Sequence, residues 1–241
     1  MNSFINDCRT CKIKNCSILK NCGDQILQDL TKIKISKSLK ANKQLFTEGD
    51  PVLGVYFIKK GLVKVELNGK NGRPLLLKIQ KPGSLFGHRI NQNHTHHSFS
   101  VTAVMDTEYC FIPSYAFTEL LQKTPSLQNQ ILNQLLEDLH EAEQKTITLA
   151  HKTVKEKVAD AIIQLANLYD YSSKKISFRI HFCRQDIADF TGTTKEQVSK
   201  TLNQFEKENL IKCKAKRFTY VDMDSLLNIA CHNNPQIFSV A

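Results

Sequence analysis

The sequence predicts an α+β chain: an N-terminal antiparallel β-sandwich or barrel, one long helix, and a C-terminal winged helix-turn-helix. Three observations carry this. Between Leu39 and Pro113, short alternating segments such as Leu62-Val63-Lys64-Val65-Glu66-Leu67 are separated by turn signals, among them Glu48-Gly49-Asp50-Pro51, Asn71-Gly72 and Lys81-Pro82-Gly83. From Pro125 to His151, apolar residues return every three or four positions. Ala188, Gly192 and Val198 then stand at the spacing of two helices joined by a tight turn, inside a basic stretch.

Residues 1–24 are polar and cysteine-rich, too poor in apolar side chains to fold without a staple. A short helix is expected from Gln25 to Ser38, carried by Ile26, Leu27, Leu30 and Ile33, and residues 25–124 form the β-domain. The long helix, residues 125–151, shows a narrow seam of Leu132, Leu135, Leu139, Ala142, Thr146 and Leu149. Such a seam suits a partner helix from a second subunit; packing on the chain's own β-domain is the other way to cover it. A second helix through Val154, Val158, Ala161, Ile162, Leu165 and Leu168 opens the C-terminal region, residues 152–241.

The helix-turn-helix runs from Gln185 to Leu202. Ala188 is small enough for two helices to touch, and Gly192 tolerates the positive φ of the turn. Val198, Leu202 and Phe205 form the inner face, while Glu196, Ser199 and Lys200 point outward as a major-groove reader would. Thr193 with Glu196 also reads as a capping box, which would give Glu196 a purely structural task. From Lys174 to Arg217 there are eleven Lys/Arg against five Asp/Glu, and Lys212, Lys214, Lys216 and Arg217 alternate with apolar residues as in a basic hairpin. The candidate DNA contacts are therefore Thr194, Lys195, Glu196, Ser199 and Lys200 on the recognition helix, with Lys216 and Arg217 on the wing.

Charge and cysteine usage narrow the class. The 241 residues carry a formal charge of +10, which fits a polyanionic partner. No apolar run approaches the roughly 18–20 residues of a bilayer helix, and the N-terminus lacks the pattern of a signal peptide, so a cytoplasmic protein with no membrane partner is expected. Four of the eight cysteines (Cys8, Cys11, Cys16, Cys22) fall in the first 22 residues. In a reducing compartment that clustering points to a metal or redox site before a disulfide framework. The short tract of His94, His96 and His97 can bind metal but sits in an expected loop, and it is read as loop. Neither paired catalytic carboxylates nor a nucleophile–base pair nor a phosphate-binding Gly-rich loop is visible, so an enzyme or electron carrier is not expected.

The layout resembles the CRP/FNR superfamily of bacterial transcription regulators over nearly the whole chain after residue 25. The resemblance rests on Leu45-Phe46-Thr47-Glu48-Gly49-Asp50, on Tyr56-Phe57-Ile58-Lys59-Lys60-Gly61-Leu62-Val63-Lys64-Val65, on Pro82-Gly83-Ser84-Leu85-Phe86-Gly87, and on Glu196-Gln197-Val198-Ser199-Lys200. It implies a cyclic-nucleotide-binding-like β-roll (a jelly roll), a dimerisation helix and a winged helix-turn-helix. The family's recognition helices carry E-x-x-S-R; Lys200 replaces the Arg and cannot make its two-pronged contact to guanine, which leaves the half-site sequence open. Cyclic-AMP-binding members place a Gly-Glu pair and an Arg-Ser pair around the nucleotide. Here Gly87 is followed by His88, and Ser98-Phe99 lacks the Arg, so cyclic AMP is not the expected effector.

The stretch from Phe86 to Pro113 looks instead like the oxygen-sensing FNR branch, in which a cysteine near the end of the β-roll completes a [4Fe–4S] cluster; Cys110 sits at that place. Cys16 and Cys22 keep that branch's gap, whereas the upstream C-x2-C is displaced. The resemblance thus implies an iron–sulfur cluster on Cys11, Cys16, Cys22 and Cys110, with Cys8 as an alternative ligand. A structural zinc on the same thiolates, or free redox thiols, are the other readings. Oxygen or nitric oxide would damage the cluster, weaken a homodimer seamed by Leu132, Leu135, Leu139, Ala142 and Leu149, and release a palindromic promoter site in double-stranded DNA. RNA polymerase would be a further partner of an activator.

Overall fold

The computed structural model describes residues 7–69, 72–88, 95–168, 177–179, 182–214, 217–220 and 222–231. The chain divides into two compact units, Met1–Asn68 with Leu77–Ala142, and Gly69–Leu76 with Glu143–Ala241. Helix α3 (Pro125–His151) is continuous and contributes residues to both.

The first unit opens with two short 3-10 turns, Cys8–Thr10 and Lys14–Cys16, followed by helix α1 (Asp24–Ile33). The expected helix to Ser38 is corrected here. The backbone N–H of Lys34 closes α1 by donating to the Leu30 carbonyl, and Ile35–Leu39 continues as strand β1. That strand pairs antiparallel with β8 (Thr107–Pro113), with Ser36 opposite Cys110. Ladder hydrogen bonds from a strand about seventy residues away outweigh the local helical pattern.

Between them lie β2 (Gln44–Phe46), β3 (Gly54–Lys60), β4 (Val63–Asn68), β5 (Pro74–Gln80), β6 (Leu85–Phe86) and β7 (Ser100–Ala103). They form two four-stranded sheets, ordered β1-β8-β3-β6 and β2-β7-β4-β5, as the alternating segments predict. Helix α2 (Ser114–Gln122) follows β8.

Two apolar clusters hold the unit. Phe46, Ile58, Val63, Val65, Phe86 and Val101 fill the space inside the roll. The other cluster lies against β3 and β8. It unites Cys8, Ile13, Ile18, Leu19 and Cys22 of the N-terminal segment with Leu27 and Leu30 of α1, Val55, Phe57, Cys110 and Ile112 of the sheet, Phe117 of α2, and Leu127 and Ile131 of α3. The cysteine-rich segment therefore carries apolar residues enough to dock, although too few to fold by itself.

In the second unit, α4 (Val154–Leu168) is the central helix; Val158, Ala159, Ala161, Ile162, Ile163, Leu165 and Ala166 are buried along it. It packs against α5 (Arg184–Thr191), α6 (Lys195–Lys207) and α7 (Met223–Cys231). Strands β9 (Ser177–Arg179), β10 (Ile211–Lys214) and β11 (Arg217–Tyr220) form a sheet ordered β10-β11-β9. This is the winged helix-turn-helix. Leu27 of α1 is fully buried in the cluster that holds the cysteine segment. Leu27→Ala is expected to lower stability by about 2–5 kcal/mol, read as an earlier urea unfolding midpoint.

Candidate functional site

The outward face of α6 is the first candidate. Helix α5 ends in Gly192, whose φ of +61° places it in the left-handed region. A Cβ there would also lie 2.9 Å from a methyl of Leu149, so glycine is required twice over. The N–H groups of Gly192 and Thr193 both donate to the Ala188 carbonyl, which commits Thr193 to closing α5. Thr194 is then the first extended residue and becomes the N-cap. Its hydroxyl accepts from the Gln197 N–H at 3.3 Å, while its own N–H donates to the Gln197 side-chain oxygen at 3.3 Å. The capping box is therefore Thr194 with Gln197, one position beyond the expected Thr193 with Glu196.

That shift takes Glu196 out of the capping box. Its side chain is exposed, and its carboxyl is held below the usual range by its own backbone N–H and then by the Thr194 hydroxyl. It faces solvent as a carboxylate, able to accept from a cytosine amino group. Lys195 and Lys200 are exposed beside it and Ser199 is half-buried, while Val198, Leu202 and Phe205 are fully buried beneath. The face expected to read bases and the face expected to anchor the helix are thus separated as the 3.6-residue period demands.

The wing pairs Lys214 with Arg217 across the β10–β11 hairpin, and Lys212 is exposed along it. Lys216 lies outside the described residues, as does the side chain of Arg217. One functional detail escaped the sequence reading: Cys183 is the N-cap of α5, where its own N–H donates to Asp186 at 2.8 Å. Its C-x-x-D spacing carried the signal.

The cysteines form the second candidate. Cys8, Cys22 and Cys110 are buried and Cys11 is half-buried, all belonging to or packed against one apolar cluster. Burial pushes the thiols of Cys22 and Cys110 up; Cys110 also feels the thiols of Cys8 and Cys11, and its sulfur lies 3.8 Å from the Ser36 hydroxyl. The Cys16 side chain and His94 lie outside the described residues. Among the described residues no three His, Cys, Asp or Glu side chains converge as a ready-made metal site. The donor set nonetheless suits a thiolate-bound metal, since soft sulfur ligands from both the N-terminal segment and β8 share one dry cluster. His97 is buried and stacked 3.6 Å from the Phe46 ring, and burial lowers its pKa; His96 is exposed and its Nδ1 lies 2.9 Å from the Thr95 hydroxyl.

A cavity of about 440 Å³ opens in the roll where Gly87, His88, His97 and Ser98 meet. Its cations among the described residues are Lys78 and Lys81, with no arginine. Lys78 is already held by Asp138 at 2.6 Å and Glu141 at 3.2 Å, and His88 Nε2 lies 3.9 Å from Asp138.

On the long helix, Leu132, Leu136 and Leu139 are between 55% and 58% exposed and Ile147 is 48% exposed. Ala142 and Thr146 are exposed with them. Leu135 packs on the cluster of the first unit, and Leu149 lies against Gly192. The open stripe therefore runs through Leu132, Leu136, Leu139 and Ile147.

Two family models match the chain in tandem, a cyclic nucleotide-binding domain over residues 36–124 and a Crp-like helix-turn-helix domain over residues 156–229. The chain belongs to the CRP/FNR family of transcription regulators. It is 27% identical over 227 residues to the anaerobic regulatory protein of Pasteurella multocida, covering 92% of this chain and 82% of that one. Over 228 residues it is 25% identical to the transcriptional activator protein FnrL of Cereibacter sphaeroides, with 91% and 89% covered. The structure of FixK2 from Bradyrhizobium japonicum superposes with a TM-score of 0.72 at 20% identity, covering 82% of this chain and 97% of that chain, which supports the fold. As a member of this family the chain is a DNA-binding regulator rather than an enzyme. Among the described residues no helix is long and apolar enough to cross a membrane.

Two substitutions separate base reading from phosphate holding. Glu196→Ala is expected to cost about 1–3 kcal/mol on the preferred site and to relax the choice at one base pair. Lys212→Ala is expected to weaken all sequences alike and to lower the salt slope of binding by about one. Fluorescence anisotropy with duplexes at several salt concentrations reads both.

Proposed function

We propose that this regulator senses oxygen or redox state through an iron–sulfur cluster held by its cysteines, and that cluster binding controls dimerisation along α3 and hence promoter occupancy. The observation that carries this is the shared apolar cluster. Cys8, Cys22 and Cys110 are buried in the same packed group as Leu127 and Ile131, the residues at the base of α3. The names of relatives, an anaerobic regulatory protein and an FnrL activator, favour the same reading.

Four of five cysteines would supply the ligands: Cys11, Cys16, Cys22 and Cys110, with Cys8 as the alternative member. When bound, the cluster supplies an oxygen-labile tie between the segments that donate its sulfurs. The chain's own residues do the rest. Ile13, Ile18 and Leu19 hold the N-terminal segment on the sheet, where Cys110 feels the thiols of Cys8 and Cys11. Those of Cys22 and Cys110 hold their protons at neutral pH, so loading must release protons and strengthens as pH rises. Ordering this segment is worth on the order of several kcal/mol, enough to move a monomer–dimer equilibrium. The exposed stripe of Leu132, Leu136, Leu139 and Ile147 is the surface a second copy would cover. A two-fold dimer then sets two α6 helices one DNA turn apart on a palindromic site. Cyclic AMP is not the effector in this reading, because no arginine lines the cavity among the described residues and its Lys78 is committed to Asp138 and Glu141.

Protein purified without oxygen is expected to hold about four iron and four sulfide per chain, with a broad visible absorbance that bleaches in air. Cys110→Ser is expected to abolish that absorbance, and Leu139→Glu to leave it intact while light scattering shows a monomer. Zinc, or no metal, in the native protein would overturn the sensor reading; the DNA-binding regulator would stand, and the search for its signal would move to the cavity.

A further inference from the structure

The last turns of α3 grip the helix-turn-helix through a lysine that the sequence pattern did not single out. Lys145 donates from Nζ to the Phe190 carbonyl at 2.6 Å, and the same ammonium sits 3.4 Å from the centre of the Phe190 ring. Phe190 is in the last turn of α5, where carbonyls have no intrahelical partner and a cation is favoured by the helix dipole. One turn further along α3, Leu149 fills the space over Gly192. Lys145 and Leu149 thus hold the two ends of the same short stretch, Phe190 to Gly192. Helix α6 begins three residues later, so its direction is set by how that stretch is held.

We propose that Lys145 is a positioning residue for DNA binding: by fixing the Phe190 carbonyl and ring at the end of α5, it sets the angle at which α6 meets the major groove. It touches no base in this arrangement, because its ammonium is turned to Phe190. Burial lowers its pKa to about 8, against an opposing pull from Asp160 of α4, and the side chain stays charged at neutral pH. A charge committed to one carbonyl and one ring face specifies an orientation, where an apolar side chain would merely fill space. Ile147 lies on the opposite side of α3, in the exposed stripe, so the two faces of this helix end serve different tasks.

The test uses the full-length protein and two duplexes, one selected by the wild type from a random-sequence pool and one scrambled version of it. Lys145→Met is expected to weaken binding to the selected duplex at least tenfold, while the scrambled duplex changes less than twofold and the salt slope is unaltered. Lys145→Arg, which keeps the cation and a donor, should restore most of the loss. Equal losses on both duplexes with a salt slope lower by about one would make Lys145 a phosphate contact and overturn the proposal. So would a lower melting temperature with unchanged affinity for the selected duplex, which marks a merely structural role. If Lys145→Met fails to fold, Lys145→Gln and Phe190→Leu decide, singly and together. Additive losses of affinity overturn the proposal, and non-additive losses on the selected duplex alone support it.

Discussion

The packing of one apolar cluster is the constraint from which the rest of this structure follows. On one side are the buried thiols of Cys8 and Cys22 with Ile13, Ile18 and Leu19; on the other are Cys110 on the central strand β8 and Leu127 and Ile131 at the start of α3. Protein cores are close-packed and transmit small displacements rather than absorbing them. A change in the cysteine segment is therefore a change in what supports the helix base. The cluster is also dry, which favours neutral thiols and makes soft, charge-delocalising metal binding the chemistry that could hold them as thiolates.

Helix α3 distributes its surface with little waste. Leu127, Ile131 and Leu135 face the cluster of the first unit, Leu132, Leu136 and Leu139 stay open, and Lys145 and Leu149 reach the turn of the helix-turn-helix. A single helix thus carries a buried face, an open apolar stripe and a polar grip in succession. Such a stripe is costly to leave in water, at roughly 25 cal/mol for each Å² of apolar surface, which is why it marks an interaction surface.

The cavity of the roll is lined by lysines, histidines and one aspartate, with no arginine among the described residues. Asp138 of α3 holds Lys78 at 2.6 Å and lies 3.9 Å from His88 Nε2, and His97 stacks against Phe46. Lys78, one of the two described lysines of the cavity, is already paired with Asp138 and Glu141. The fold class and the ligand chemistry are separable, and here only the former follows from the family likeness.

Much of this protein was determined by its sequence alone, where the deciding physics is local. Pro125 and His151 bound α3 in both the pattern and the structure, because helical period and a proline at the first turn act within a few residues. Ala188, Gly192 and Val198 located the helix-turn-helix for the same reason: a positive φ and a close crossing each demand one small residue. Tertiary structure alone decided the rest. Ile35–Leu39 became a strand because β8 offered it a ladder. Leu135 turned inward and Leu136 outward, a choice between adjacent residues that periodicity cannot make. Lys145 looked like any helical lysine until α5 brought Phe190 to it. The cysteine spacings pointed to a metal or redox site, but that Cys8 and Cys22 share a buried cluster with Cys110 depends on a strand and a segment about a hundred residues apart, and only packing joins them.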